Sequence, residues 1–391
     1  MSRAWSQCTI DSLCLRVTSG GTPSRKHPEY FVGPNVTGGV PWLKTKELDD
    51  TAVHNTEEYI TKSAIAASSA KVLPRQTVVM AMYGATVGKL GMLATEMTCN
   101  QAVCAMVVDP NKTDPKFLFY RLLQDRPALV GLATGSAQQN LSGTVIKNFK
   151  VSCPPLIEQR RIAGVLGALD DLIDTNKRLI DQIYELCSDR YSQARANSLG
   201  TVRLGDVVDV NPWQTKSQVE GFLTYLDIAA LGDGNIDWPT HSAWADAPSR
   251  ARRLAKPGCT LWSTVRPNRR AHALLTHVPE DLVVSTGLAV LAPKTLGPAE
   301  LYAATNESDF VDFLMSRADG SAYPAVRAST FEDAPIANLG TDASLQFEAY
   351  NWPLLQMAGE LSNESNQLSQ TRDELLPLLL SGAVSVSEVA A

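Results

Sequence analysis

Apolar residues recur every seven positions in two places along this chain. Val165, Leu172, Leu179 and Leu186 form one ladder, and Leu354, Leu361, Leu368 and Leu375 form another, each residue 189 positions after its counterpart. A sustained seven-residue repeat predicts a long helix that packs against another helix. Beside the first ladder, Ile162, Leu166, Leu169, Ile173, Asn176, Ile180, Ile183 and Cys187 alternate spacings of four and three, which is a coiled-coil seam and makes the apolar stripe wide. Pro155 suits a first helical turn and Glu158 the positive end of the helix dipole. A helix of about 35 residues here is roughly 50 Å long. Asn176 either fixes register on the seam or sits at its solvated edge. The second helix carries Pro353 near its start and Pro377 near its end, so a kink or a late start is predicted around Pro353. Neither stripe has an obvious cover in the rest of the chain, so the two helices are predicted to pair with each other, through Val165, Leu172, Asn176, Leu179 and Leu186 on one and Leu354, Leu361, Leu368 and Leu375 on the other, and an antiparallel pairing would relate the two halves by a pseudo-dyad.

The repetition reaches into the segments before each helix. Gly135-Ser136-Ala137 is matched by Gly320-Ser321-Ala322, and the 17 residues that follow keep a shift of 185 without a gap. KVLPRQTVVMAM (from Lys71) and RLAKPGCTLWSTV (from Arg253) share a proline turn and an apolar strand, and TCNQAVCAMVV aligns with VVSTGLAVLAP. Between these stretches the halves differ: Gly20 to Pro34 and Trp42 to Lys46 have no close equivalent in Trp213 to Arg270. The predicted fold is α+β, a pseudo-two-fold tandem repeat of two small mixed α/β domains, 1–153 and 198–340. Two long antiparallel coiled-coil helices, 154–197 and 341–383, join them, and 384–391 is a tail. A chain of 391 residues is too long for one ordinary core and suits this division.

Net charge is −6, yet from Gly340 onward Asp342, Glu348, Glu360, Glu364, Asp373, Glu374 and Glu388 stand against Arg372 alone, so the excess belongs to the last helix and tail. The balanced remainder holds basic clusters: Arg250, Arg252, Arg253 and Lys256; Arg266, Arg269 and Arg270; and, more loosely, Arg25, Lys26, Lys44 and Lys46. A charge cluster can be a solvated face or an anion-binding surface. The seven cysteines contain no Cys-x-x-Cys pair and the five histidines are scattered, which argues against a disulfide framework and a metal site. No apolar run is long enough to cross a bilayer and the first residues lack a signal pattern, so a cytoplasmic location without membrane association is expected.

Three strings resemble catalytic motifs and fail on spacing. Gly84-Ala85-Thr86-Val87-Gly88-Lys89-Leu90 has three residues between glycines where a phosphate-binding loop needs four, and leucine where it needs serine or threonine. Asn211-Pro212-Trp213 lacks the second proline of an amino-methyltransferase string, and Asp109 and Asp114 lie too close together for a nuclease pattern. Catalysis by this chain is not expected.

Several longer strings resemble the specificity subunit of type I restriction–modification systems, over essentially the whole chain. They are GGTPSRKHPEYF (from Gly20), VPWLKTKEL (from Val40), SSAKVLP (from Ser68), MAMYGATVGKLG (from Met80), NQAVCA (from Asn100), PPLIEQRRIAGVLGALDDLI (from Pro154) and RDELLPLLLSG (from Arg372). The resemblance implies two target-recognition domains, each reading half of a split double-stranded DNA target. The helices between them would act as ruler and as platform for two methyltransferase subunits, through which restriction and translocase subunits join. S-adenosylmethionine, ATP and magnesium would belong to those partners, and methylation would fall on adenine N6. The distal helix lacks a clear Glu-Gln-Arg string, so its contacts with a methyltransferase need not equal those of the first.

Base reading calls for Arg or Lys toward guanine and Asn or Gln toward adenine, with phosphate contacts for position. Candidates in the first domain are Arg25, Lys26, Lys44, Lys46, Tyr83, Lys89, Gln138, Gln139 and Asn140. In the second they are Arg250, Arg252, Arg253, Arg266, Asn268, Arg269 and Arg270. The alternative is a two-domain adapter that gathers proteins without reading DNA.

Overall fold

The computed structural model describes residues 5–34, 36–133, 140–216, 218, 220–320 and 323–386. The chain divides into two compact units: Met1–Ile173 with Gln367–Ala391, and Asp174–Asn366.

In the first unit the order of the main sheet is Cys14–Ser19, Val103–Val108, Val78–Ala81, Leu90–Leu93, Thr51–Val53, antiparallel except for the last junction. Successive side chains of a strand face opposite ways, so Val78 and Met80 join a core with Phe117, Tyr120 and Leu122 of the helix Pro115–Val130, while Val79 and Ala81 join another with Leu43 and Val103. Asp114 starts that helix by accepting hydrogen bonds from the backbone N–H groups of Lys116 and Phe117. A second sheet, Phe31–Val32, Tyr59–Ile60, Val40–Leu43 and Thr98–Cys99, contains one parallel pair, Val40–Leu43 with Thr98–Cys99. Ser6–Thr9 pairs with Lys150–Cys153 as a separate ribbon.

The second unit repeats this plan. Its main sheet runs Val208–Val210, Leu288–Pro293, Thr260–Ser263, His272–Leu274, and its ribbon joins Thr201–Arg203 to Pro335–Ala337. Its other sheet again has one parallel pair, Phe222–Leu226 with Leu282–Ser285. The first unit adds Thr51–Val53 to its main sheet and Phe31–Val32 to its other sheet, and the second adds Ala251–Arg253 to its other sheet. Phe31–Val32 and Ala251–Arg253 come from the stretches where the sequence repeat fades.

Two helices, Leu156–Arg195 and Thr341–Ser381, each contribute one part to each unit. In the first unit, Ile162, Ala163 and Leu166 share a core with Leu376, Leu379 and Leu380. Asp170 accepts from Arg372 Nη1 at 2.8 Å and from the Tyr120 hydroxyl, tying both long helices to the helix Pro115–Val130. In the second unit, Asn176 Nδ2 donates to Glu364 at 2.9 Å and Arg190 donates to Asn351 at 3.2 Å, an antiparallel register. Asn176 and Asn351 are both buried, and the amide of Asn351 also donates to Phe347 O. Polar residues on the seam are therefore partnered, as a buried amide must be.

The first ladder is not the seam. Leu172, Leu179 and Leu186 are 50%, 42% and 41% exposed, and Val165 is half-buried, while the buried face follows Ile162, Leu166, Asn176, Ile183 and Cys187. The second ladder does lie on the packed side: Leu354, Leu361, Leu368 and Leu375 are half-buried, and all but Leu368 lie against the cores. The two helices start at Leu156 and Thr341, a shift of 185 and not 189. Four residues is about one turn plus 40°, so a ladder shifted by four moves from the flank of one helix to the seam of the other. At the true shift, Leu172 corresponds to Met357 and Val165 to Tyr350; Met357 and Tyr350 are exposed, at 51% and 61%.

Pro353 neither delays nor ends its helix, which is continuous from Thr341 to Ser381. Proline removes one hydrogen bond, but Phe347, Asn351, Leu355 and Ala358 on both sides of it are buried in the second unit, and tertiary packing of that face outweighs the local preference.

Gln159, in the string Glu158-Gln159-Arg160-Arg161, is 2% exposed and fully bonded. Its side-chain oxygen accepts from Thr113 Oγ1 at 2.8 Å and Asp114 N at 3.1 Å, and its nitrogen donates to Pro154 O at 3.0 Å and Lys112 O at 3.2 Å. The residue pins the entry of the helix Pro115–Val130 to the first turn of Leu156–Arg195.

Candidate nucleic-acid interface

In the first unit three of the basic candidates, Arg25, Lys44 and Lys46, are brought together by acidic partners. Arg25 lies over the Phe31 ring at 3.9 Å, with Trp42 at 5.3 Å, and donates to Glu58 at 2.7 Å. Lys44 reaches Glu57 at 3.0 Å and Glu58 at 3.1 Å, and Lys46 reaches Glu57 at 2.6 Å. Hydrogen bonds from Lys46 and Lys44 hold the Glu57 carboxyl below the usual carboxylate range. Lys89 stands apart from this group, bonded to Asp49 at 3.1 Å and near Asp50 at 3.3 Å. The exposed Lys26 side chain has no ion pair among the described residues. Glu57 and Glu58 were not among the sequence candidates; their signal is an acidic pair that follows the two lysines by a dozen residues.

The second unit places its basic residues differently. Arg252 donates to Ala251 O at 2.7 Å and Arg253 to Leu288 O at 2.5 Å, and burial pulls the Arg253 guanidinium below its ordinary value. Arg270 donates to the carbonyl and the side-chain oxygen of Asn306, the residue that ends the helix Pro298–Thr305. These three arginines serve carbonyls of their own unit. A cation at a helix C-terminus also meets the negative end of its dipole. Arg266 lies over the exposed Tyr323 ring at 4.2 Å. Arg250, Asn268 and Arg269 are exposed, and their side chains make no hydrogen bond or ion pair among the described residues.

The loop after Val78–Ala81 and the loop after Thr260–Ser263 occupy the same place in the repeated sheet. Their left-handed residues coincide: Gly84 (φ +85°) and Gly88 (φ +81°) in one, Arg266 (φ +52°) and Arg270 (φ +52°) in the other, each 182 positions apart. The supporting contacts repeat as well. Tyr83 bridges Asn140 as Val265 bridges Ala325, and Leu141 N donates to Met82 O as Val326 N donates to Thr264 O. Gln138 and Gln139 lie outside the described residues. A non-glycine residue in this region costs about 1–2 kcal/mol, so the second unit holds two arginines where the first meets the same backbone requirement with glycine.

Among the described residues no group of three or more His, Cys, Asp or Glu side chains is placed to hold a metal ion, and no helix is long and apolar enough to cross a membrane.

The sequence profile of the type I restriction modification DNA specificity domain matches residues 4–185. The MjaIX specificity subunit of a type I restriction enzyme from Methanocaldococcus jannaschii is 27% identical over 414 aligned positions, covering 95% of this chain and 92% of its own. A type I restriction enzyme specificity subunit from Escherichia coli is 25% identical over 181 positions; that match spans 45% of this chain and less than half, 44%, of the relative. In fold, the crystal structure of a type I restriction–modification S subunit from M. genitalium superposes with a TM-score of 0.64 over 96% of both chains at 16% identity. Residues 4–185 belong to the type I restriction modification DNA specificity domain family, and the near-full-length relative extends the likeness to specificity subunits over the rest of the chain.

Proposed function

We propose that this chain is the DNA-reading subunit of a type I restriction–modification complex and is itself non-catalytic. Its two domains each read one half of a split double-stranded target, and its long helices gather two methyltransferase subunits, through which the restriction and translocase subunits join. S-adenosylmethionine, ATP and magnesium act in those partners. The observation that carries this reading is one sheet plan built twice, with the same loop frame and different polar side chains on each copy. Two different surfaces on one scaffold suit a target with two different halves. A protein adapter has no need of cations such as Arg250 and Arg269, whose side chains have no partner among the described residues.

The test is to co-express the chain with the methyltransferase encoded beside it and map methylated bases across the host genome by long-read sequencing. One split motif with a fixed gap is the expected result. Co-purification without any motif would turn the reading toward an adapter, and methylation in the absence of this chain would overturn it.

For assembly, the reading rests on the exposed flank of Leu156–Arg195. Leucines at seven-residue spacing remain 41–50% exposed among the described residues, and an apolar face of this kind marks a protein contact. Replacing Leu179 and Leu186 together by glutamate is expected to weaken methyltransferase association by at least about tenfold. The urea midpoint of the free chain should stay put, because both residues are exposed. Undiminished co-purification would remove the flank from the assembly surface.

A further inference from the structure

The loop that follows Thr260–Ser263 is a tight turn held at both ends. Arg269 N donates to Arg266 O and Arg270 N to Pro267 O, each at 2.9 Å, and Arg266 N donates to Pro324 O at 2.7 Å. Pro267 is buried beneath the turn. The Arg266 guanidinium rests on Tyr323 and that of Arg270 is taken up by Asn306. Between these anchors only Asn268 and Arg269 present exposed side chains, and neither has a hydrogen-bonding partner among the described residues.

The same frame in the first unit carries Thr86 and Val87 at the corresponding positions, both half-buried and uncharged. The left-handed positions and one turn bond, Val87 N to Gly84 O and Arg269 N to Arg266 O, are common to the two loops; they differ in the next bond, Gly88 N donating to Ala81 O where Arg270 N donates to Pro267 O, and in what the tip offers. Glycine satisfies the left-handed positions of the first loop; an ideal Cβ at Gly84 would meet nothing within 4 Å, while one at Gly88 would meet Val130 Cγ2 at 2.6 Å. The arginines at the matching positions of the second loop fasten it through Tyr323 and Asn306. A fastened turn with two unpartnered polar side chains loses little freedom on binding.

We infer that Asn268 and Arg269 are the base-reading pair of the second domain, directed at the major-groove edges of two purines, guanine by Arg269 and adenine by Asn268. Arginine offers two parallel donors that fit guanine O6 and N7, and an asparagine amide fits adenine N6 and N7. Arg266 and Arg270 are positioning residues that hold the turn. This rests on the DNA-reading function proposed above.

The full-length chain carrying Arg269→Ala, co-expressed with the methyltransferase, tests it by mapping the methylated motif. A single guanine of one half-site is expected to become any base, with discrimination there falling roughly ten- to hundredfold. The other half-site and the gap should be unchanged. Arg269→Lys keeps the charge and loses the fork, and should relax the same position; Asn268→Ala should relax one adenine of the same half-site. An intact motif in Arg269→Ala, or a uniform fall at all sites that Arg269→Lys restores, would overturn the assignment, the latter by showing a phosphate contact. If the unaltered chain directs no split motif, it is the proposed function that fails, which separates the two claims.

Discussion

Replacing Gln159 by leucine is expected to destabilise the first unit by about 3–5 kcal/mol, because each buried polar group left without a partner costs about 1–3 kcal/mol. Leucine fills a similar volume but can neither accept from Thr113 Oγ1 and Asp114 N nor donate to Lys112 O and Pro154 O. Thr113 is itself wholly buried, so water cannot readily replace the lost bond. A single melting curve would mix two units, so the measurement is hydrogen exchange resolved by segment. Amides of Pro115–Val130 should lose protection by roughly two to four orders of magnitude, and amides of Thr260–Ser263 and Leu288–Pro293 should not change. Full protection in the first unit would show that the four bonds contribute little.

The second large effect concerns the length of the helices. Inserting seven residues into Leu156–Arg195 near Asn176, and seven into Thr341–Ser381 near Glu364, lengthens each by about 10 Å and leaves the seam in phase to about 20°. At 3.4 Å per base pair the gap between the half-sites is expected to widen by about three base pairs. The bases of both half-sites should stay the same, because no residue of either globular domain changes. Methylation mapping reads the gap directly. An altered half-site, or an unaltered gap, would end the idea that helix length sets spacing. Inserting into one helix alone should instead break the Asn176 to Glu364 contact and reduce the yield of folded chain.

The sequence carries the duplication clearly, because strands buried on both faces leave apolar runs that survive comparison, such as Val78–Ala81 against Thr260–Ser263. It carries the seam less clearly. Leucine at a packed position and leucine at an exposed flank look the same, so Leu172, Leu179 and Leu186 passed for contacts, and a coincidental shift of 189 hid the true shift of 185. Asn176 was legible as a polar seam residue, but its partner Glu364 belongs to a distant stretch of chain. Pro353 misled because its local penalty is real and is outweighed only by burial that the sequence does not display. Among the basic residues, type and clustering were legible and occupancy was not. Arg253 and Arg270 read the same as Arg250 and Arg269 until the carbonyls of Leu288 and Asn306 are seen to take them up. The left-handed backbone of Arg266 and Arg270 was hidden for the opposite reason, since glycine is the residue that announces such a turn.

The unequal charge pairing of the two domains bears on how a target is found. In the proposed complex, Arg25, Lys44, Lys46 and Lys89 meet DNA already facing Glu57, Glu58, Asp49 and Asp50, whereas Lys26 in the first domain and both Arg250 and Arg269 in the second have no ion pair among the described residues. Long-range attraction acts on net local charge, so in the proposed complex the encounter begins at the second domain, and the first engages only when its carboxylates give way at close range. Salt then slows arrival at one half-site more than at the other, and the order in which the halves are recognised follows from ion pairs that touch no base.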